Sequence, residues 1–320
     1  MKSNLDFKFD GELSACPICL SGSISYSYTT IHAPLCLPGF RVWCCRDCGV
    51  RFVNPQPCHT SLKEFYESPE FQEINYSINA TRLEYISDPR KKALYEDQVA
   101  LLRHHKGSGR VLDIGCGVGE FVRVSTDYGY DAEGIDLAAD RIKFGQAHLG
   151  LDDRIKVSSF EEFMPAARYD FVTCWDIIEH VKNPKLMMQS IKGFLNSGGI
   201  AVIRIPITDG IMFDEEHPET WKWVMAPYHL FQFSNKTFEW LMHTCGYQVI
   251  GHQFAKDANY TRASFFRSVP QFHRTVESKI ILRALVALLL ERSGVATTII
   301  SLLGKGNVAT FVVRVNASVA

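Results

Sequence analysis

Val111-Leu112-Asp113-Ile114-Gly115-Cys116-Gly117-Val118-Gly119-Glu120-Phe121 is the stretch on which the reading of this chain turns. Apolar and β-branched residues run into an acid, then into glycines at alternate positions, then into a segment of helical character. Such a run is a buried strand delivering the backbone to a tight turn where something approaches too closely to leave room for Cβ atoms. Some twenty residues on, Asp131-Ala132-Glu133-Gly134-Ile135-Asp136-Leu137 reads as a second short strand ending in a carboxylate. In a doubly wound sheet, an acid at the tip of the second strand lies beside the glycine loop, where it can accept both hydroxyls of a ribose. Asp136 would also serve as a helix N-cap ahead of Ala138-Ala139-Asp140-Arg141. The pairing of Asp113 with Asp136 across two strand tips favours the ribose.

Gly115, Gly117 and Gly119 are one residue tighter than the dinucleotide fingerprint G-x-G-x-x-G. The run D-x-G-x-G-x-G resembles motif I of the class I S-adenosylmethionine (SAM) methyltransferases. That resemblance implies an α/β, Rossmann-like sheet of seven strands with the last antiparallel, and SAM as co-substrate. It places Asp113, Gly115, Cys116, Gly117 and Gly119 at the amino-acid end of SAM, and Asp136 with Leu137 at its ribose. Arg154 to Val157 is the third strand, ending at Ser158-Ser159-Phe160. Many family members carry an acid here that meets the adenine amino group; this chain offers Ser159 and Phe160, with Glu161 one step on. Tyr169-Asp170-Phe171-Val172-Thr173-Cys174-Trp175-Asp176-Ile177-Ile178-Glu179-His180-Val181 is the fourth strand and its exit, and resembles motif IV of small-molecule methyltransferases. Open α/β sheets bind ligands where the strand order reverses, so Gly115, Trp175 and Asp176 are expected to face one crevice. Glu179-His180 reads either as an acid/base pair or as a structural element of this superfamily.

Pro184 opens a helix that runs to Leu195 and closes at Asn196-Ser197-Gly198-Gly199, and Ile200 to Ile205 is a buried fifth strand. The segment from Pro206 to Pro227 carries Trp221, Trp223 and the charged Asp214-Glu215-Glu216-His217; loops of that length are usually functional. Ser234 caps a helix over Lys236 to Thr244, Gly246 stops it, and Tyr247 to Ile250 is the sixth strand. The preceding string, His229-Leu230-Phe231-Gln232-Phe233-Ser234, resembles sugar C- and O-methyltransferases in which a His at this point is the general base. The catalytic candidates are therefore His229 first, with Tyr228 and His180 beside it. The alternative for His229 is an imidazole that fixes its loop by a hydrogen bond. The apolar runs Ile280 to Leu290 and Val295 to Leu303 fall short of the roughly 18 residues a membrane span needs. They read as a helical hairpin, 276–304, inserted before the antiparallel strand Val308 to Val315. That hairpin would rest on this domain, on a second subunit, or on a membrane surface as a peripheral contact; monomer and homodimer both stay open.

At the other end, Cys16-Pro17-Ile18-Cys19 and Cys45-Arg46-Asp47-Cys48 are two C-x-x-C knuckles with 25 residues between them. Two such knuckles bring together the four thiolates that structural Zn²⁺ prefers, with no open position for catalysis; Cys36, Cys44 and Cys58 are spare. The expected organisation is a zinc-ribbon module over 1–58, a helical linker or lid over 59–106 carrying Tyr66, Phe71 and Tyr76, and the SAM-dependent domain over 107–320. By the resemblance, those three aromatics lie over the substrate site, or else they only pack the linker.

With 46% hydrophobic and 22% charged residues, the 320-residue chain is globular in composition, and its net charge of −1 sets up no field that would draw nucleic acid. Met1 to Asp10 holds no apolar signal core, and ten cysteines without one argue for reduced thiols or metal, so the expected compartment is the cytoplasm. The first expectation is a methyltransferase acting on a sugar or nucleotide-sugar. The second is an RNA methyltransferase with a zinc module, which the lack of a basic stripe disfavours. The third is a non-catalytic SAM-binding protein.

Overall fold

The computed structural model describes residues 7–31, 36–68, 89–210, 213–221, 223–254 and 307–316. The main sheet is built from β4 (Arg110–Ile114), β5 (Asp131–Asp136), β6 (Ile155–Val157), β7 (Tyr169–Trp175), β8 (Leu195–Pro206), β10 (Tyr247–Phe254) and β11 (Val308–Val315). Across the sheet the order is β10-β11-β8-β7-β4-β5-β6. β4 pairs in parallel with both β5 and β7, and β11 runs antiparallel between β8 and β10. The seven strands and the antiparallel last one are those expected. The order reverses between β4 and β7, so the tips of β4, β5 and β7 open onto one crevice.

The sequence dictates this burial directly. Val111, Leu112 and Ile114 of β4 and Phe171, Val172 and Cys174 of β7 are buried on both faces, as parallel strands covered by helices must be. One face carries α2 (Pro89–His105), α3 (Glu120–Asp127) and α4 (Ala139–Leu149), whose Val99, Leu102, Phe121, Val122 and Ile142 form one apolar cluster. The other carries α5 (Pro184–Phe194) and α6 (Asn235–Thr244), with Met187, Ile191, Phe238 and Leu241 in a second cluster. Asn183 caps α5 by accepting from the Leu186 amide at 3.0 Å, and Ser234 caps α6 by accepting from Thr237 at 3.1 Å. The turn read between α5 and its strand lies inside β8: Tyr169 faces Leu195 and Phe171 faces Ile200, so Asn196 to Gly199 bulge out.

The cysteine-bearing end is a small antiparallel sheet of β1 (Ile24–Thr29), β2 (Arg41–Cys45) and β3 (Arg51–Val53), followed by α1 (His59–Glu67). Its fourth strand, β9 (Phe231–Gln232), comes from far along the chain, immediately after His229 and Leu230. Phe52 stands opposite Phe231, Gln232 donates through Nε2 to the Tyr28 hydroxyl at 2.6 Å, and Thr237 Oγ1 donates to the Cys48 carbonyl at 2.7 Å. Val42, Phe52, Phe231 and Leu241 share one apolar cluster, so the ribbon and the large sheet have a common core. Phe71, Tyr76 and the hairpin expected over 276–304 lie outside the described residues. No helix among the described residues is long and apolar enough to cross a membrane.

Candidate active site

The glycine turn after β4 is held against β5 by backbone hydrogen bonds and by one carboxylate. Gly115 and Cys116 both donate to the Ile135 carbonyl, at 2.8 and 3.0 Å. Gly115 has φ of 76°, and a Cβ there would stand 2.1 Å from Ile177 Cδ1, so only glycine lets the turn meet the exit of β7. Cys116 packs its side chain under Gly134 of β5. Asp136 lies at the neighbouring tip: one oxygen accepts from the Gly117 amide at 2.9 Å and the other from Ala138 at 2.8 Å. Each carboxylate oxygen keeps a second lone pair for a ligand hydroxyl. Asp136 thus ties the start of α4 to the glycine turn. Leu137, next along, is 71% exposed.

Asp113 is 2% exposed, and Thr173 Oγ1 donates to it at 2.6 Å. Burial, with the nearby charges of Glu120 and Asp136, outweighs that hydrogen bond and pushes its carboxyl up to about 8. At the end of β6, Ser159 Oγ accepts from the Glu162 amide at 3.2 Å and Phe160 is buried in the core. The Ser159 hydroxyl therefore shapes the turn beside the expected adenine position.

On the far side of the crevice, Trp175 meets Phe121 edge-on at 5.2 Å between ring centroids. Asp176 follows in the left-handed region at φ 57° and is gripped by Arg204, whose Nε lies 3.1 and 3.0 Å from its two oxygens and whose Nη2 lies 2.5 Å from Oδ2. Arg204 is the residue that sequence reasoning passed over. It is the one charged residue in the apolar run of β8, and that interruption was the available signal.

Two turns then lock together. The Glu179 carbonyl accepts from the amides of Leu230 and Phe231, at 2.9 and 3.1 Å. His180 Nδ1 donates to the Tyr228 carbonyl and His229 Nδ1 to the Trp223 carbonyl, both at 2.8 Å. A carbonyl can only accept, so each Nδ1 carries the proton and each Nε2 presents a lone pair. The two rings are 4.6 Å apart, and Tyr228 lies over His180 at 4.0 Å while meeting Tyr66 of α1 at 5.8 Å. Burial pulls His180 down to about 4 and holds His229 well below the usual imidazole value. Glu179 is 1% exposed, and burial raises its carboxyl well above the ordinary range. The three catalytic candidates thus sit together, with Tyr66 against them, and with a buried acid that the sequence offered only as one half of a pair.

In the ribbon, the sulfurs of Cys16, Cys19, Cys45 and Cys48 all lie within 4.8 Å of one another, with Cys16–Cys48 at 3.7 Å and Cys19–Cys45 at 3.4 Å. Four sulfurs about 2.3 Å from a tetrahedral Zn²⁺ would be about 3.8 Å apart, so the set could hold that ion with little movement. Cys36, Cys44 and Cys58 do not belong to the group.

A glycine turn and a fixed acid on adjacent parallel tips, at the reversal of a seven-stranded sheet, define a nucleotide-binding α/β protein with class I methyltransferase topology. Residues 84–252, just over half of the chain, match the family described as a methyltransferase domain, and the chain belongs to that family. Among curated proteins, it is 32% identical over 136 residues to a ubiquinone biosynthesis O-methyltransferase of Bordetella avium, covering 41% of this chain and 50% of that one. A protein of the same name from Xanthomonas axonopodis is 30% identical over 129 residues, covering 39% and 48%. The chain thus spans about half the length of the curated relatives it matches. Among solved structures, the plantazolicin methyltransferase BpumL with SAH superposes with a TM-score of 0.49 at 15% identity, over 79% of this chain and 93% of that one. A SAM-dependent methyltransferase from Mesorhizobium loti gives 0.44 at 15% identity, over 67% and 96%.

Proposed function

We propose that this chain transfers a methyl group from SAM to a small-molecule acceptor, with the acceptor oxygen deprotonated at the Glu179–His180–His229 group. The observation that carries the reading is Asp136, which accepts from the Gly117 amide at a strand tip beside the point where the sheet order reverses. SAM brings its own activated methyl on a sulfonium. The chain must hold the acceptor in line with it, exclude water and remove one proton. In this reading the glycine amides and Asp113 hold the amino-acid end, Asp136 and Leu137 the ribose, Ser159 and Phe160 the adenine edge, and Trp175 with Asp176 the wall between cofactor and acceptor. His229 offers an unprotonated Nε2 at neutral pH, which is what a base for a hydroxyl requires. The half-buried aromatics Tyr66 and Tyr228 fit an acceptor with an apolar ring face. We assign a structural Zn²⁺ to Cys16, Cys19, Cys45 and Cys48.

For the acceptor, the ribbon followed by Asn54-Pro55-Gln56-Pro57 and an aromatic helix resembles the N-terminal part of bacterial methyltransferases that act on sugars and small metabolites, which supports a sugar or nucleotide-sugar. The relatives named for ubiquinone biosynthesis support a second reading, an acceptor of that kind methylated on oxygen. Incubating the protein with labelled SAM and each acceptor pool, then weighing the products, separates the two. A labelled sugar supports the first and a labelled quinone precursor the second. Calorimetry with SAM comes first, because absence of binding would remove the whole proposal.

A further inference from the structure

Glu179 has an environment that the proposed reaction does not by itself explain. A carboxyl group this deeply buried is ordinarily hydrogen-bonded, ion-paired or bound to a metal. Neither of its side-chain oxygens has a hydrogen-bond partner among the described residues. The neighbouring His180 Nε2 stands 3.9 Å from Oε1, too far for a hydrogen bond. Meanwhile the two imidazoles have their Nδ1 protons committed to main-chain carbonyls, which leaves Nε2 as the lone-pair nitrogen of each ring. That outer hydrogen bond to a carbonyl is the arrangement that orients metal-ligating histidines and raises their basicity. One ligand atom from each of the three residues lies within 4.8 Å of the other two.

We propose that Glu179, His180 and His229 bind one divalent first-row transition-metal ion of the Mn²⁺, Fe²⁺ or Zn²⁺ kind. Two imidazole nitrogens and one carboxylate oxygen suit such an ion better than Mg²⁺ or Ca²⁺, which favour all-oxygen sets. Three protein ligands leave coordination positions open, as catalytic sites do and four-cysteine sites do not. The ion's role rests on the methyltransferase reading, although its binding does not. An acceptor hydroxyl on the open position would lose its proton to solvent at a lower pH. Its oxygen pair then forms the new O–C bond while the S–C pair returns to sulfur. The products are methyl ether, demethylated cofactor and one released proton. His229 then acts as a ligand, and the acceptor is chosen for an oxygen able to reach the ion.

The test is a Mn²⁺ titration of chelator-treated, full-length protein, followed by loss of the free-ion paramagnetic resonance signal. Mn²⁺ prefers nitrogen and oxygen over thiolate, so the cysteine group does not interfere; Co²⁺, whose visible spectrum separates thiolate from imidazole ligation, is the second probe. The expected result is one ion per chain at the nitrogen–oxygen site. Glu179→Gln and His229→Ala should weaken it at least about tenfold, the lower bound for loss of even an outer-shell partner. Cys16→Ser should leave it unchanged. SAM affinity in each variant reports that the sheet is folded. If Mn²⁺ does not bind in stoichiometric amount and Co²⁺ shows only thiolate ligation in protein that binds SAM, or if Glu179→Gln and His229→Ala bind as the parent does, the site is refuted. If the ion binds but SAM does not, the methyltransferase reading falls and the metal site stands. If the ion binds and methylation survives its removal, the role given to it is wrong.

Discussion

Asp136 and Asp113 stand on adjacent strands at the same crevice but are set up for different tasks. Asp136 is shared by two amides and faces the turn, whereas Asp113 is sealed behind it with Thr173. Asp136→Ala is expected to weaken SAM binding by roughly tenfold to a hundredfold, since hydrogen bonds to a charged group are worth about 1.5–3 kcal/mol each; calorimetry reads this directly. Asp113, pushed up to about 8, is mostly protonated at neutral pH in the free protein. A cationic amino group arriving beside it favours the ionised form. SAM binding near pH 7 should therefore release close to one proton, and affinity should rise with pH until about 8. Titrations in buffers of different ionisation enthalpy check it, and a proton-neutral result would separate Asp113 from the ligand. His229→Ala should lower turnover by about a hundredfold to ten-thousandfold with SAM affinity kept. Because burial holds both imidazoles below the usual value near 6.5, the acid limb of the pH–rate profile belongs below that value, with a flat region above it. The acids and histidines were legible from motif and spacing. Glu179's isolation and the Arg204 grip on Asp176 were not, because both depend on what lies across the crevice.

Strands and helices followed the sequence closely where period and punctuation agreed. The strands β4 and β5, the helix opened by Pro184 and the cap at Ser234 came from local signals, whereas the antiparallel β11 came from the family resemblance. What local signals could not provide was the register of β8, where Asn196 to Gly199 bulge within the strand instead of preceding it. Nor could they reveal why α4 carries Gly145. A Cβ there would stand 2.0 Å from the Val118 carbonyl oxygen and 2.7 Å from Ile155 Cδ1. Gly→Ala in a helix ordinarily stabilises; at this position crowding wins. Gly145→Ala is expected to cost about 1–3 kcal/mol by forcing the helix off the glycine turn. A thermal scan should show a lower Tm, and SAM affinity should fall with it; an unchanged Tm would mean that α4 yields without strain.

At the scale of the whole molecule, the ribbon is part of the catalytic half and not an appendage. β3 pairs with β9, and β9 begins two residues after His229. The partner strand of β3 was not readable from sequence, since Phe231-Gln232 is too short to announce itself. Cys45→Ser should lower bound zinc, reduce Tm and, through β9, reduce turnover. Full turnover in a zinc-depleted, folded variant would show that the two halves are mechanically independent.

Because residues 231–232 complete the small sheet, the N-terminal segment cannot be exchanged as a cassette among enzymes of this topology. A chimera would have to inherit the strand after His229 together with the ribbon. A truncation at Cys58 would bare the β9 edge and the faces of Phe231 and Phe233 to water. Unpaired edges of that kind invite self-association. Expression of the larger half alone should therefore yield aggregates, and engineers seeking new acceptors should graft across the seam and not along it.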